Sequence, residues 1–255
     1  MTLTIDLNCD MGESFGAWVM GQDSRIMPLI SSANIACGFH AGDGATMRKT
    51  VADALANGVS IGAHPGLPDL QGFGRRFMQI TEQQAYDMVV VQVGALAGVA
   101  ASQGAKLNHV KPHGMLYNMA AKDEALARGI AKAVHDVDSN LVLFGLAGSL
   151  LLTQGQALGL KTASEVFADR SYQADGSLTP RNQPGALIED VNESVEQVLR
   201  MVREGVVIAQ SGESVPVQAD TLCIHGDKPQ APEFAQAIRT ALQANDVQMT
   251  PPGRG

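Results

Sequence analysis

Carboxylates, imidazoles and basic side chains recur in this chain at the ends of short apolar runs. Asp10 and Glu13 follow the run at 3–9. His40 and Asp43 follow 33–37, and His64 follows 59–63. Lys111 closes the run at 107–111, and His113 comes two residues later. Asp169 and Arg170 follow 161–167, and His225 and Asp227 follow 221–224. Carboxylates and imidazoles serve as general bases and acids or hold divalent metals. Lys111 is suited to a carboxylate or phosphate. Arg75 and Arg76, after Gly72-Phe73-Gly74, are surface charges or a clamp for an anion. There is no HExxH or comparable zinc spacing, so any metal site must be assembled in space. There is also no GxxxxGK[ST] and no GxGxxG after a strand, so the chain lacks a standard nucleotide cradle.

Alternation along a strand sorts these residues by face. Asp6, Asn8 and Asp10 share one face of the first run, and His109, Lys111 and His113 share one face of the fourth. Three polar residues in a row on an interior face are unfavourable unless paired or used. The structural alternative is a buried hydrogen-bond network linking the two strands. It weighs most for Asp6, and less for Asp10 and His113 at strand ends. Other residues read structurally. Asp43 is expected as a helix N-cap and His135 as a solvated surface residue. Cys37 is expected as a small buried strand residue rather than a thiolate partner of His40. Asp227 either caps the last helix or positions His225.

The elements that must hold these residues alternate regularly. Strands are expected at 3–9, 33–37, 59–63, 107–111, 141–146, 161–167 and 221–224. Apolar runs closed by turn residues read as buried parallel strands. Between them, Asp43 caps a helix to Ala56, Thr81 and Gln84 form a capping box for a helix ending near Gly104, and further helices are expected at 124–134 and 148–158. A stripe of Val191, Val195, Val198, Leu199 and Val202 marks a fifth helix, and 233–243 the last. Residues 206–210 and 215–218 flank Ser211-Gly212-Glu213-Ser214, which reads as a β-hairpin insertion. Such alternation predicts one α/β domain over 1–255, a distorted seven-stranded barrel, with an open doubly wound sheet as the alternative. Chemistry placed after many parallel strands then converges at their carboxyl ends.

Composition narrows the function classes. The chain has 255 residues, 45% hydrophobic and 17% charged, enough for a sizeable core. Its net charge of −8 argues against a nucleic-acid groove or an anionic membrane surface, though not against a local basic pocket. Cys9, Cys37 and Cys223 form no CxxC pair, and a reduced, cytoplasmic location is expected. The opening Met1-Thr2-Leu3-Thr4-Ile5-Asp6 shows no signal-peptide pattern. The longest apolar helical stretch, 89–101, contains Gln92 and reads as too short to span a bilayer.

Taken in order, these segments resemble the 5-oxoprolinase A-subunit family, also called the LamB/YcsF family. The resemblance is carried by Asp6-Leu7-Asn8-Cys9-Asp10-Met11-Gly12-Glu13 and by Asn34-Ile35-Ala36-Cys37-Gly38-Phe39-His40-Ala41-Gly42-Asp43. Ile61-Gly62-Ala63-His64-Pro65-Gly66 with Gly72-Phe73-Gly74-Arg75-Arg76 continues it. Val110-Lys111-Pro112-His113-Gly114, Glu165-Val166-Phe167-Ala168-Asp169-Arg170 and Cys223-Ile224-His225-Gly226-Asp227 complete it. The resemblance implies a distorted (β/α) barrel of the glycoside hydrolase/deacetylase type. It implies ATP-dependent opening of 5-oxo-L-proline (pyroglutamate) to L-glutamate, together with partner subunits B and C that activate the lactam with ATP. That division of labour agrees with the missing nucleotide motif.

A lactam is a resonance-stabilised, poor electrophile, and phosphorylating its oxygen makes a better one. Water must then add, and the tetrahedral species must collapse with protonation of nitrogen, which needs a base, an acid and an oxyanion stabiliser. Asp10 or Glu13 is a candidate base, and His64 or His113 a candidate acid. Lys111 with Arg75 or Arg76 is suited to the phosphoryl group or substrate carboxylate, and Asn8 and His40 complete the candidate substrate contacts. Two other classes stay open. One is a metal-dependent deacetylase or sugar hydrolase, with Asp10, His40 and His64 as ligands. The other is a non-catalytic component that presents substrate to its partners.

Overall fold

The computed structural model describes residues 3–226 and 230–253. Seven parallel strands close on themselves: β1 (Leu3–Met11), β2 (Ser32–Ala36), β3 (Ser60–His64), β4 (His109–Val110), β5 (Val142–Leu146), β6 (Lys161–Phe167) and β9 (Thr221–Ile224). β9 pairs with both β6 and β1, which makes the sheet a barrel rather than an open sheet. The closing seam is uneven. Asp6–Cys9 of β1 pair with β9, while Leu3–Ile5 pair with a short outer strand, β10 (Val247–Met249). β1 thus changes neighbour part-way along its length, and the barrel is distorted there. Between β6 and β9, β7 (Val206–Ile208) and β8 (Ser214–Pro216) pair antiparallel as a hairpin.

Helices cover the outside. α1 (Asp23–Ile26) is a single turn after β1. Asp43 caps α2 (Gly44–Ala56) by accepting from the Thr46 N–H, and Thr81 and Gln84 close a capping box on α3 (Glu82–Ala101). α4 (Gly114–Ala120), α5 (Glu124–Val137), α6 (Leu150–Ala157), α7 (Val191–Glu204) and α8 (Ala231–Ala244) follow. α3 corrects one expectation: it has 20 residues and is long and apolar enough to cross a membrane by length and composition. Its Ala85, Val89, Val93, Leu96 and Ala100 are buried. Gln92, also buried, accepts from the Gly66 N–H and donates to the Gly66 carbonyl. The helix is thereby clamped to the loop that follows β3. The core lies between strands and helices, as Leu7, Cys9, Ile35, Ile61, Val110, Val166 and Leu222 meet Val51, Leu96, Ile130 and Ile238. The barrel interior is polar around β1 and β4, where Asp6, Asn8, His109 and Lys111 are buried, with an apolar cluster of Val142, Phe144 and Ala163 beside them.

Candidate functional site

β1 feeds the interior at every second residue. Asp6 lies deepest. Its Oδ1 accepts from the hydroxyls of Ser31 (2.6 Å) and Ser32 (2.7 Å), and its Oδ2 from Thr221 (2.6 Å). Burial pushes its carboxyl up to about 6 against those hydrogen bonds. Asn8 comes next, donating to Thr221 Oγ1 (2.7 Å) and Glu165 Oε1 (3.0 Å) and accepting from Asn34 (2.7 Å) and Lys111 (3.2 Å). Asp10 is last, with 18% of its side chain exposed.

Lys111 extends inward just past β4, where its backbone N–H still bonds to the Ala63 carbonyl. Its ammonium lies 2.7 Å from Glu165 Oε1, 3.1 Å from Asp10 Oδ1 and 3.2 Å from Cys223 Sγ. Burial alone would lower this ammonium, but Asp10, Cys223 and Glu165 outweigh it and hold it well above its usual range. Asp10 mirrors this: burial raises its carboxyl, yet His64 and Lys111 together hold it well below the carboxylate range. Tyr117 on α4 donates to Glu165 Oε2 at 2.6 Å. Lys111 is therefore a fixed cation between two carboxylates.

Three histidines form the adjoining wall. His64 ends β3, with Nε2 3.3 Å from Asp10 Oδ2 and Nδ1 2.7 Å from the Lys111 carbonyl. His113 precedes α4; its Nδ1 lies 3.0 Å from His64 Nε2, and its Nε2 lies 2.8 Å from the Phe73 carbonyl. His40 stacks on His113 with ring centres 3.8 Å apart and planes 3° from parallel, and both its ring nitrogens are buried without a hydrogen bond. Burial pushes His113 down to about 3 and His40 well below the ordinary histidine value. Donor atoms of Glu13, His40, His64 and His113 all lie within 4.8 Å of one another.

Glycines make room for these rings. A Cβ on Gly62 would fall on His109, one on Gly66 would fall on His40, and one on Gly74 would press on both His40 and His113. Gly74 also has φ of +65°, so a side chain there is strained as well as crowded.

Asp10, His64, Lys111 and His113 line one cavity of about 730 Å³ at the carboxyl end of the strands. Arg75 also lines it, with its guanidinium 5.0 Å from the centre of the Phe73 ring. Arg76 does not line it, because it turns to the buried Asp69, with Nε 2.9 Å from Oδ1. Asn8 lies beneath the cavity within the network, and His40 and Glu13 sit beside His64 and His113 rather than on the lining. His225 lines the cavity, bonded through Nδ1 to Asp169 (2.8 Å) and through Nε2 to Arg181 (2.9 Å). Asp227 lies outside the described residues.

Residue types and spacing left several members unmarked. Glu165, which pairs with Lys111, and Tyr117, which donates to Glu165, sit inside apolar segments. Arg181 lies in a long loop, and only the fold brings it to His225. Cys37 donates to the Ile35 carbonyl and burial pushes its thiol up to about 12, as a small buried residue would be.

The sequence model of the LamB/YcsF family matches residues 5–254. A protein of Bordetella parapertussis, named as the A subunit of 5-oxoprolinase, is 66% identical over 247 residues, 97% of this chain and 98% of that protein. A Bacillus subtilis protein of the same name is 59% identical over 246 residues, 96% of each chain. The crystal structure of a lactam utilization protein from Thermus thermophilus superposes with a TM-score of 0.93 at 46% identity, covering 97% of this chain and 99% of that one.

Proposed function

This chain belongs to the LamB/YcsF family, and we propose that it is the A component of an ATP-dependent 5-oxoprolinase, a hydrolase that opens 5-oxo-L-proline to L-glutamate. The observation that carries this reading is the charge of the cavity. Among the described residues, Arg75, Lys111, Lys122, Arg170 and Arg181 line it against one carboxylate, Asp10, in a chain of net charge −8. Such a pocket suits a small substrate bearing a carboxylate and a phosphoryl group. A 5-oxoproline phosphorylated on its lactam oxygen has both.

Roles follow from position. Lys111, held as an ammonium well above its usual range, offsets the charge on the phosphoryl-bearing oxygen while water adds across the C=N bond. Nitrogen takes the electron pair and a proton, the C–N bond breaks, and hydrolysis of the resulting acyl phosphate releases phosphate and glutamate. Asp10, ionised and facing the cavity, accepts a hydrogen bond from the attacking water through the carboxylate that Lys111 and Asn34 orient at Oδ1. Arg75 binds the substrate's anionic group. No nucleotide cradle occurs in the sequence, so the ATP step falls to partner subunits B and C. The exposed side chains of Trp18, Val19 and Phe77, on the loops after β1 and β3, lie on that end of the barrel and suit contact with such partners.

The test is reconstitution with 5-oxoproline and ATP, with and without the partner subunits. Glutamate should form only when all subunits are present, and the chain alone should show negligible ATPase. Tight ATP binding by the isolated chain in calorimetry, or full turnover by the partners without it, would end this reading.

A further inference from the structure

We propose that Glu13, His40, His64 and His113 form a binding site for one divalent transition-metal ion of the zinc class. The first observation is hydrogen-bond accounting on two rings. His64 Nδ1 faces the Lys111 carbonyl at 2.7 Å, and His113 Nε2 faces the Phe73 carbonyl at 2.8 Å. A carbonyl only accepts, so each of these nitrogens carries a proton. In a neutral ring the opposite nitrogen is then a bare lone pair. His64 Nε2 and His113 Nδ1 are those opposite nitrogens, and they face each other at 3.0 Å. Two lone pairs aimed at one another, with Asp10 Oδ2 also 3.3 Å from His64 Nε2, require a positive centre there, either a proton or a metal ion. Anchoring the remote N–H on a backbone carbonyl is also how metal-ligating histidines are usually held.

The second observation is independent. His40 is buried, and neither of its ring nitrogens has a hydrogen-bond partner. Buried polar atoms in that state call for a missing ligand. Its ring lies flat on His113, and two parallel rings cannot both aim lone pairs at one ion. Ion entry therefore turns His40, a rotation that no hydrogen bond opposes. Glu13 adds a carboxylate within 4.8 Å of the ring donors. The 3.0 Å separation approaches the edge of about 3.3 Å expected for a tetrahedron around zinc. Three imidazoles and one carboxylate suit Zn²⁺ or Co²⁺, whereas Mg²⁺ and Ca²⁺ favour all-oxygen sets. Such an ion, when bound, lowers the pKa of a coordinated water to about 7. Asp10 is not in the set, because its carboxylate is not among the donor atoms that cluster within 4.8 Å of one another.

This inference stands apart from the lactam reading, since the chain alone either holds the ion or does not. The experiment strips the purified chain with dipicolinate and titrates it with CoCl₂, following visible absorption, and then with ZnCl₂ by calorimetry. One equivalent of Co²⁺ should bind with the absorption of a four- or five-coordinate site. Zn²⁺ should displace it, and millimolar Mg²⁺ should not. His64→Ala and His113→Ala should each weaken binding about 100-fold, while His135→Ala on the exposed face of α5 should bind as wild type. Should a histidine variant fail to fold, Glu13→Gln carries the test, with weakening of about tenfold expected. Absence of a stoichiometric Co²⁺ site in the wild-type chain would overturn the proposal, as would folded variants that bind like wild type. A shared proton would then be what joins His64 to His113.

Discussion

Asp6 and Asp10 stand four residues apart on the same face of β1, and their surroundings differ in kind. Three hydroxyls surround Asp6, and all are neutral donors of fixed supply. Asp10 meets an ammonium, an imidazole and an amide, and keeps an open side toward the cavity. The deeper group is closed on itself, while the outer one has charge and free approach. Polarity inside a barrel therefore does not mark a site; open valence and mobile charge do.

The sharpest way to break this contrast is Lys111→Met. The ammonium, 4% exposed, holds Asp10 and Glu165 together, and its loss leaves two carboxylates facing one another. Turnover by the assembled complex should fall by about 10²–10⁴-fold. The melt should also show a loss of about 3–5 kcal/mol, since one partner of a buried ion pair is left alone. Normal turnover at low temperature in a destabilised variant would reduce Lys111 to structure. Asp10→Asn should separate the two roles, with turnover down about 10²-fold or more and a much smaller change in melting.

Asp6→Asn examines the closed region. Asp6 binds its proton more tightly folded, at about 6, than at its ordinary 3.8, so the folded state is favoured below pH 3.8. That contribution is lost as pH rises to about 6 and stays lost above. Between pH 4 and 7 the wild type should lose on the order of 3 kcal/mol relative to Asp6→Asn in denaturant melts. Turnover should change less than about twofold, well short of an acid–base loss. A tenfold fall would place Asp6 in the chemistry. The smallest contrast concerns neighbouring arginines. Arg75→Ala should raise KM for the activated substrate about tenfold, as for one lost charged hydrogen bond, and Arg76→Ala, bound to Asp69, should leave KM nearly unchanged.

Much of this was legible in the sequence. Lys161–Phe167 and Thr221–Ile224 are found at the expected bounds, and the caps Asp43 and Thr81 are where their residue types put them. α4 was not legible, because Gly114 and Asn118 weaken its pattern and the short helix begins only two residues after Pro112. β10 escaped notice because three residues show no periodicity. For the site, strand alternation placed Asp10, Lys111 and His113 together. It could not show that Arg76 would fold back on Asp69 while Arg75 lined the cavity, since adjacent residues in a loop share every sequence signal. Glu165 was hidden for a different reason: its pairing with Lys111 spans 54 positions, and only barrel closure supplies it.

The glycines beneath the histidines carry a consequence for how this protein can vary. Gly62 is vacant space that His109 fills, and Gly66 and Gly74 are vacant space for His40 and His113. Each glycine is thus the silent half of a two-letter unit. A descendant that gained alanine at 62 would have to surrender the His109 ring first, and only then would the methyl be tolerated. Substitution therefore has a direction in time: imidazole lost before glycine changes, glycine restored before imidazole returns. Among divergent copies of this chain, residues 62 and 109 should be inherited as a pair, so that either one predicts the other across 46 intervening positions.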